Sequence, residues 1–181
     1  MKYIISSLLL FLTGCKNSAK EENRELNQIV KAVTLDTESF NNSIIFIKDS
    51  LKQLVIYIPT KDEIEKRIPP PPPGKTTSIL RLLDFKKNYT ENDSLKLLNQ
   101  NNYPLKKIVL DKSINPNIKI WNKSSKEKLF LSVSNPIYFE DNFAYIEVGY
   151  YEYGFSKGTA YLLKKENEVW KIIGREPLWI T

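Results

Sequence analysis

The strongest constraint on the fold is the alternation of apolar and polar residues in the last third of the chain. Leu129, Leu131 and Val133 alternate with Phe130 and Ser132, a period of two that is typical of a half-buried strand. Comparable runs follow, separated by residues that favour tight turns. We therefore predict an antiparallel meander with strands at 136–139, 143–153, 159–165, 169–173 and 178–180, a loop at 154–158 and a hairpin turn at 165–168.

Helices are predicted in the earlier part of the chain. Leu26, Ile29, Val30 and Val33 recur at helical spacing, which predicts a helix over 19–34 with one narrow apolar stripe. A second helix is expected to begin at Thr90, with acidic residues in its first turn, and to end before 104. The chain as a whole predicts an α+β fold. An antiparallel sheet formed mainly by the C-terminal meander should have about two helices packed on it.

Two further segments have a clear local character. The β-branched and aromatic runs at 43–47 and 54–58 predict a pair of strands, although 51–58 could instead be the tail of a helix. Five consecutive prolines at 69–73 exclude a helix or an inner strand and predict polyproline II. We interpret the proline run as a stiff surface crossover, with a ligand for an aromatic groove as the alternative.

The composition excludes the commonest kinds of catalytic and metal-binding site. The 181 residues include no His and a single Cys, Cys15. Ser-His-Asp and Cys-His systems are therefore excluded, as are an internal disulfide and ordinary zinc or iron–sulfur sites. We expect no cofactor and no metal. The excess of 27 Lys+Arg over 21 Asp+Glu is dispersed, so we interpret it as a solvated surface and expect no nucleic-acid partner.

The N-terminus has the layout of a secretory signal, in which a positive charge and an apolar run over 3–11 precede small residues. The apolar run is shorter than the roughly 20 residues that span a bilayer. The sequence Leu12-Thr13-Gly14-Cys15 resembles the lipobox of bacterial lipoproteins. That resemblance implies cleavage before Cys15, a diacylglycerol on its sulfur and hence a membrane partner. We expect a signal peptide at 1–14, a lipidated tether at 15–25 and a single domain at 26–181.

The end of the chain carries a second resemblance. Pro136-Ile137-Tyr138, Trp170-Lys171-Ile172 and Leu178-Trp179-Ile180 follow one another in order. This pattern resembles the ending of a group of Bacteroidota lipoproteins and secreted proteins to which no chemistry is assigned. Asp-Ser-Leu triplets centred on Ser50 and Ser94 resemble the O-glycosylation sequon of that phylum. A looser resemblance to the ketosteroid-isomerase-like cone implies a pocket at most.

The candidate contact residues come from the long strand predicted at 143–153. Alternation places one set of apolar side chains on the face that should form the core. The opposite face could stack on sugar rings or hold a peptide, unless a helix covers it. An exposed Trp in the polar stretch 117–128 would be a further contact residue. The candidates for ligand or partner contact are Tyr145, Glu147, Tyr151, Tyr153 and Trp121.

These observations predict a lipid-anchored bacterial envelope protein with a non-enzymatic binding or scaffolding role. Its partner would be an envelope protein or a glycan. In many Gram-negative lipoproteins an Asp directly after the lipidated Cys is the inner-membrane retention signal. This chain has Lys16 there, so the resemblance to lipoproteins implies the outer membrane over the inner one in a Gram-negative host. The alternative is a small-ligand-binding or hydrolytic protein with a cone-like pocket. Glu147 and Glu152 should lie on opposite strand faces, so they do not predict the converging carboxylates of a glycosidase.

Overall fold

The structure is a computed structural model that describes residues 2–36, 44–68, 76–78, 91–124, 126–139 and 142–181. The described chain forms the helices α1 (Lys2–Leu35), α2 (Lys61–Glu65) and α3 (Glu91–Asn99), and α3 continues into a 3-10 turn at Gln100–Asn102. The strands are β1 (Ile45–Lys48), β2 (Val55–Tyr57), β3 (Thr76–Ser78), β4 (Ile118–Trp121), β5 (Phe130–Val133), β6 (Ile137–Phe139), β7 (Phe143–Glu152), β8 (Phe155–Glu166) and β9 (Val169–Ile180).

Seven strands form one sheet in the order β4-β1-β5-β7-β8-β9, and β6 pairs with β7 beyond the end of β5. The strands β7, β8 and β9 form an antiparallel meander, and β5 and β6 are antiparallel to β7. Only at β1 does the described sheet become parallel, because β1 runs alongside β4 and β5 in the same direction. The prediction of an α+β fold built around the C-terminal meander is confirmed.

The meander is more continuous than its side-chain pattern suggests. The loop predicted at 154–158 is wrong, because β8 begins at Phe155 and only a tight turn with Gly154 at φ 75° separates it from β7. Backbone pairing with the long β7 extends β8 past the stretch where the apolar alternation lapses. The break predicted after 173 is also wrong. β9 runs through Pro177, which this outer strand tolerates because none of the described strands pairs with its outer side.

The hairpin predicted at 165–168 is confirmed, and its geometry explains the tightness of the turn. Asn167 and Glu168 both have positive φ, at 51° and 62°, between the paired ends of β8 and β9. Two successive left-handed residues match the twist of the strands that a two-residue hairpin joins.

The two runs predicted to pair with each other do not do so. β1 pairs with β4, placing Ile45 beside Ile118, whereas β2 pairs with β3 in a separate two-stranded sheet. Between them the chain does not reverse. Lys52 instead continues along the main sheet, donating its N–H to Val133 O at 2.9 Å and accepting from Asn135 N at 3.0 Å. The alternative prediction, that 51–58 is the tail of a helix, is also wrong, because β2 occupies Val55–Tyr57.

Helix α1 covers one face of the sheet and creates the first core. The helix predicted over 19–34 lies within α1, which begins earlier. Its apolar stripe is at most 1 % exposed and packs on the inward residues of β1, β5, β7 and β8. This burial is the expected source of its stability, since a helix with one apolar stripe is stabilised mainly by packing. The stripe consists of Leu26, Ile29, Val30 and Val33.

Polar contacts fix the same helix against its surroundings. Asn27 is fully buried, donates to Val109 O at 2.9 Å and accepts from Asp111 N at 2.9 Å. Asn23 donates to Val109 O at 2.8 Å and accepts from Val109 N at 3.0 Å. Glu25 accepts from Trp170 Nε1 at 2.7 Å. Asn23 and Glu25 therefore contact the folded domain, although they lie in the range 15–25 that the sequence assigns to a tether.

The opposite face of the sheet is partly covered and forms a second core. β2 and α3 lie over the middle of β6, β7 and β8. Helix α3 confirms the second predicted helix, whose expected start at Thr90 lies outside the described residues. The buried members of this core are Leu54, Ile56, Leu97, Ile137, Tyr145 and Ala160.

The proline run at 69–73 lies outside the described residues. Within the described chain, no helix combines the length and the apolar character needed to cross a membrane.

Candidate functional site

The second face of the sheet contains a buried polar pair. Tyr145 is 0 % exposed and Glu147 is 3 % exposed, and the Tyr145 hydroxyl donates to Glu147 Oε1 at 3.0 Å. Both side chains lie where the second core covers the sheet. This part of the candidate face is therefore covered, although by a strand and a helix together and not by a helix alone.

A bulge between β5 and β6 positions Glu147. Val133 pairs with Val148 and Ile137 with Tyr145, so three residues on one strand face two on the other. Ser134 closes the gap. Its N–H donates to Glu147 O at 2.9 Å, and its hydroxyl accepts from Glu147 N at 2.9 Å in place of a backbone carbonyl. The bulge thus keeps the backbone of a buried carboxylate fully paired.

The charges at this position are coupled across the second face. Burial lowers the pKa of the Lys52 ammonium, and the carboxylate of Glu147 opposes that shift. Glu152 accepts from the Tyr150 hydroxyl at 2.9 Å, and Tyr150 belongs to the first core on the other face. Glu147 and Glu152 therefore lie on opposite faces, as the strand alternation predicts, and do not form a converging pair.

A row of aromatic rings crosses the second face near the end of β7. Trp121 stacks on Phe130 with ring centroids 4.2 Å apart, and Phe130 stacks on Tyr151 at 5.1 Å. Trp179 lies 6.0 Å beyond Tyr151 with its ring tilted by 50°. All four side chains are half-buried. We refer to Trp121, Phe130, Tyr151 and Trp179 as the aromatic cluster.

The strand order assembles the aromatic cluster from distant parts of the chain. Trp121 ends β4, Phe130 begins β5, and Tyr151 pairs directly with Phe130 on β7. Glycine makes room for the rings. A Cβ added to Gly149 would stand 2.8 Å from Tyr151 Cε2, so the Tyr151 ring occupies the space that a side chain would need. Trp179 has the same relation to its pairing partner Gly158.

A lysine lies over the centre of the aromatic cluster. The Lys48 Nζ is 4.8 Å from the ring centroid of Phe130, 5.6 Å from that of Trp121 and 5.8 Å from that of Tyr151. These distances are those of a cation–π contact. Lys48 pairs with Trp121 in the β1–β4 register, which places it on the same face as the rings.

The five candidate contact residues separate into groups. Tyr145 and Glu147 are inside the second core, whereas Tyr151 and Trp121 meet in the aromatic cluster. Tyr153 is 83 % exposed with the Lys128 Nζ 4.7 Å from its ring centroid. A partner at the surface could reach the last three, and their contact roles stay predictions. The sequence did not predict Lys48, Phe130 and Trp179 as members of a site. The local signal for one of them was the alternation along β5, which places the Phe130 side chain on the face opposite to Leu131.

A cleft of about 320 Å³ lies on the other side of the molecule, between α1 and the start of β9. Lys31, Leu35 and Trp170 are among its lining residues, and Glu168 is the carboxylate among those described. Hydrogen bonding to Lys165 lowers the pKa of Glu168 further below neutral pH, where a glutamate is already ionised. An ionised, ion-paired carboxylate at this position is a poor proton donor.

Comparison with protein-family models, with curated proteins and with solved structures finds no match to this chain. Among the described residues, no cluster of three or more His, Cys, Asp or Glu side chains could hold a metal ion. The geometry of the side chains is therefore the basis for assigning a function.

The aromatic cluster lies away from the part of α1 around Glu25. Glu25 Oε1 forms an ion pair with Lys165 Nζ at 3.0 Å. The backbone N–H of Lys165 in turn donates to Asn142 O at 2.7 Å, beside the start of β7. Tyr151 lies near the other end of β7, about 27 Å from Phe143 for a rise of ~3.4 Å per residue. The aromatic cluster also occupies the sheet face opposite to α1. It is thus remote from Glu25 both along the strands and across the thickness of the sheet.

Proposed function

We propose that the protein is a lipid-anchored protein of the bacterial cell envelope that binds a partner, without catalysis, through the aromatic cluster. The anchor is Cys15, which lies in α1 about 12 Å before Asn23 for a helical rise of ~1.5 Å per residue. Two or three acyl chains on this residue would hold the protein durably, whereas one would not.

The observation that carries this proposal is the separation of the aromatic cluster from Glu25. From Glu25, α1 runs toward Asp36, which pairs with Arg175 nearer to Trp179 on β9, so Cys15 lies on the side of Glu25 away from the aromatic cluster. A contact surface on the far face and at the far end of the sheet stays accessible when the lipid holds the other end at a membrane. Half-buried Trp and Tyr side chains are also the residue types that dominate binding energy at protein surfaces. Their packing on one another fixes them before binding, which lowers the entropic cost of association.

The lipid anchor has a direct test. Radiolabelled palmitate should be incorporated into the wild-type protein in its native host and be absent from Cys15→Ser. The control is Ser18→Ala, which leaves the lipobox intact and should be labelled like the wild type. Equal labelling of wild type and Cys15→Ser would contradict the anchor.

The contact surface is tested by site-specific photo-crosslinking in intact cells. Benzoylphenylalanine replaces Tyr151 in the aromatic cluster and, as a control, Val169, which is 56 % exposed at the opposite end of β9 from Trp179. We expect an adduct at position 151 that is absent at 169. Adducts of the same size at both positions, or none at 151, would count against the proposal.

A further inference from the structure

We propose that the ligand of the aromatic cluster is an acidic polysaccharide, with a sugar ring against the aromatic side chains and a carboxylate at Lys48. This inference rests on the proposed function and identifies the chemistry of its partner. It combines two features that the structure brings to one place, an apolar surface of stacked rings and a central ammonium group.

The charge at Lys48 points to an anionic ligand. Its ammonium lies within 5.8 Å of three ring centroids and forms no ion pair within the described part of the chain. Aromatic faces attract the cation but leave its hydrogen-bond donors without a carboxylate. A ligand carboxylate would supply a charge-assisted hydrogen bond beside apolar rings, where such bonds are stronger than in open water.

The surroundings of the aromatic cluster strengthen the same charge preference. Lys119 lies two residues before Trp121 on β4 and is exposed. The segment that leads from Trp121 to Phe130 adds further exposed lysines, and Glu127 is its acidic residue. A mainly basic rim raises the local concentration of a polyanion and steers it toward the rings. The lysines of this segment are Lys123, Lys126 and Lys128.

The hydrogen-bonding character of the surface favours a saccharide over an acidic peptide. A bound peptide must pair its backbone groups, usually at a sheet edge. At Phe130 and Tyr151, in the middle of the aromatic cluster, the backbone groups already belong to the β5–β7 ladder. At this end of the described sheet a peptide could pair only along the outer strands β4 and β9, which would leave it beside the rings of Phe130 and Tyr151 and not on them. The Trp121 Nε1 already donates to Glu127 O at 2.9 Å. A sugar instead can place the C–H groups of one ring face along the solvent side of this row of rings, whose facing surfaces already cover one another, while its hydroxyls stay hydrated.

The experiment uses the lipidated full-length protein in phosphatidylcholine nanodiscs and immobilised polysaccharides in a biosensor. Polygalacturonate is the acidic probe, and its methyl ester has the same sugar without the charge. Polyglutamate is the acidic polymer without sugar. We expect polygalacturonate to bind about tenfold or more tightly than either of the other polymers.

Variants then assign the binding to the aromatic cluster. Lys48→Gln should weaken polygalacturonate binding about threefold to fivefold, the range of a partly exposed ion pair. Trp121→Leu should weaken it about tenfold, and circular dichroism checks that this variant is folded. Lys31→Gln removes an exposed charge from α1, on the opposite side of the sheet, and should bind like the wild type.

Three results would overturn the inference. The methyl ester or polyglutamate could bind as tightly as polygalacturonate, or Lys48→Gln and Lys31→Gln could have the same effect. The third is an absence of binding to all three polymers while position 151 still gives a specific crosslink in cells. That last result would leave the proposed function intact and exclude the acidic polysaccharide as its ligand.

Discussion

Trp179 lies over Gly158, its pairing partner on β8, so closely that a Cβ added to Gly158 would stand 2.5 Å from Trp179 Cε2. Real Cβ atoms essentially never come that near to another heavy atom. The indole therefore rests on a position of the sheet that only glycine leaves open. This relation sets the end of the aromatic cluster on β9.

We predict that Gly158→Ala lowers the free energy of unfolding by about 1–3 kcal/mol, because the added methyl group forces Trp179 off its position. Urea unfolding followed by circular dichroism measures the loss. The control is Gly174→Ala on β9, where the new Cβ would stand 3.6 Å from Leu162 Cβ, an ordinary contact. At this position the free energy of unfolding should rise, by no more than about 1 kcal/mol, because Ala gives the unfolded chain less conformational freedom than Gly. Equal effects of the two substitutions would contradict the role of Trp179.

The stacking of Trp121 on Phe130 gives a second prediction. A double-mutant cycle of Trp121→Ala and Phe130→Ala should show a coupling of about 0.5–1.5 kcal/mol in the free energy of unfolding, the range for aromatic pairs. Trp121→Ala combined with Val169→Ala should be additive within about 0.5 kcal/mol, because residue 169 lies at the far end of β9. A coupling that is no larger for the stacked pair would contradict the stacking.

The local part of the fold could be predicted from the sequence, and the long-range part could not. The alternation along β7 and the turn residues before Val169 each specify structure through neighbours in sequence. The parallel pairing of Ile45 with Ile118 has no such signal, because parallel strands need a long connection and no turn links them. The error on the two early strands follows from that difference.

The same limit applies to the candidate site. Alternation places Tyr145, Glu147 and Tyr151 on one face, but it does not say which part of that face another element covers. Trp121 could be singled out as a contact residue from the polar stretch around it. Its neighbour Lys48 could not, because the two meet only through the β1–β4 pairing.

The ionisation of Tyr150 gives a third prediction. Burial raises the pKa of its hydroxyl to about 12, with a further contribution from the hydrogen bond to Glu152. The unfolded chain should titrate near the ordinary value of about 10. The folded pKa is raised, so the stability that this group adds is complete below pH 10 and is lost as the pH rises from about 10 to about 12.

NMR of proteins with ¹³C-labelled tyrosine measures this titration, and Tyr150→Phe assigns the resonance. In Glu152→Gln the pKa of Tyr150 should fall, because the carboxylate no longer disfavours the phenolate, yet stay above its ordinary value because burial persists. Glu65→Gln on α2 is the control and should leave the pKa of Tyr150 unchanged. A Tyr150 pKa near its ordinary value in the wild type would contradict the prediction.

The buried amide of Asn27 should be the main polar support of α1. Asn27→Ala removes the acceptor of Asp111 N and two donated bonds, to Asn23 O at 2.8 Å and to Val109 O at 2.9 Å. The Oδ1 of Asn27 also accepts from the buried Asn115 Nδ2 at 3.1 Å. We expect a loss of about 2–4 kcal/mol in the free energy of unfolding, because several hydrogen bonds around a fully buried side chain are lost and the half-buried Asp111 N–H loses its acceptor. Asn23→Ala, whose bonds to Val109 are exposed, should lose only about 0.5–1.5 kcal/mol. Urea unfolding ranks the two variants, and a larger loss for Asn23→Ala would show that the exposed bonds, and not the buried amide, fix α1 to the 109–115 segment.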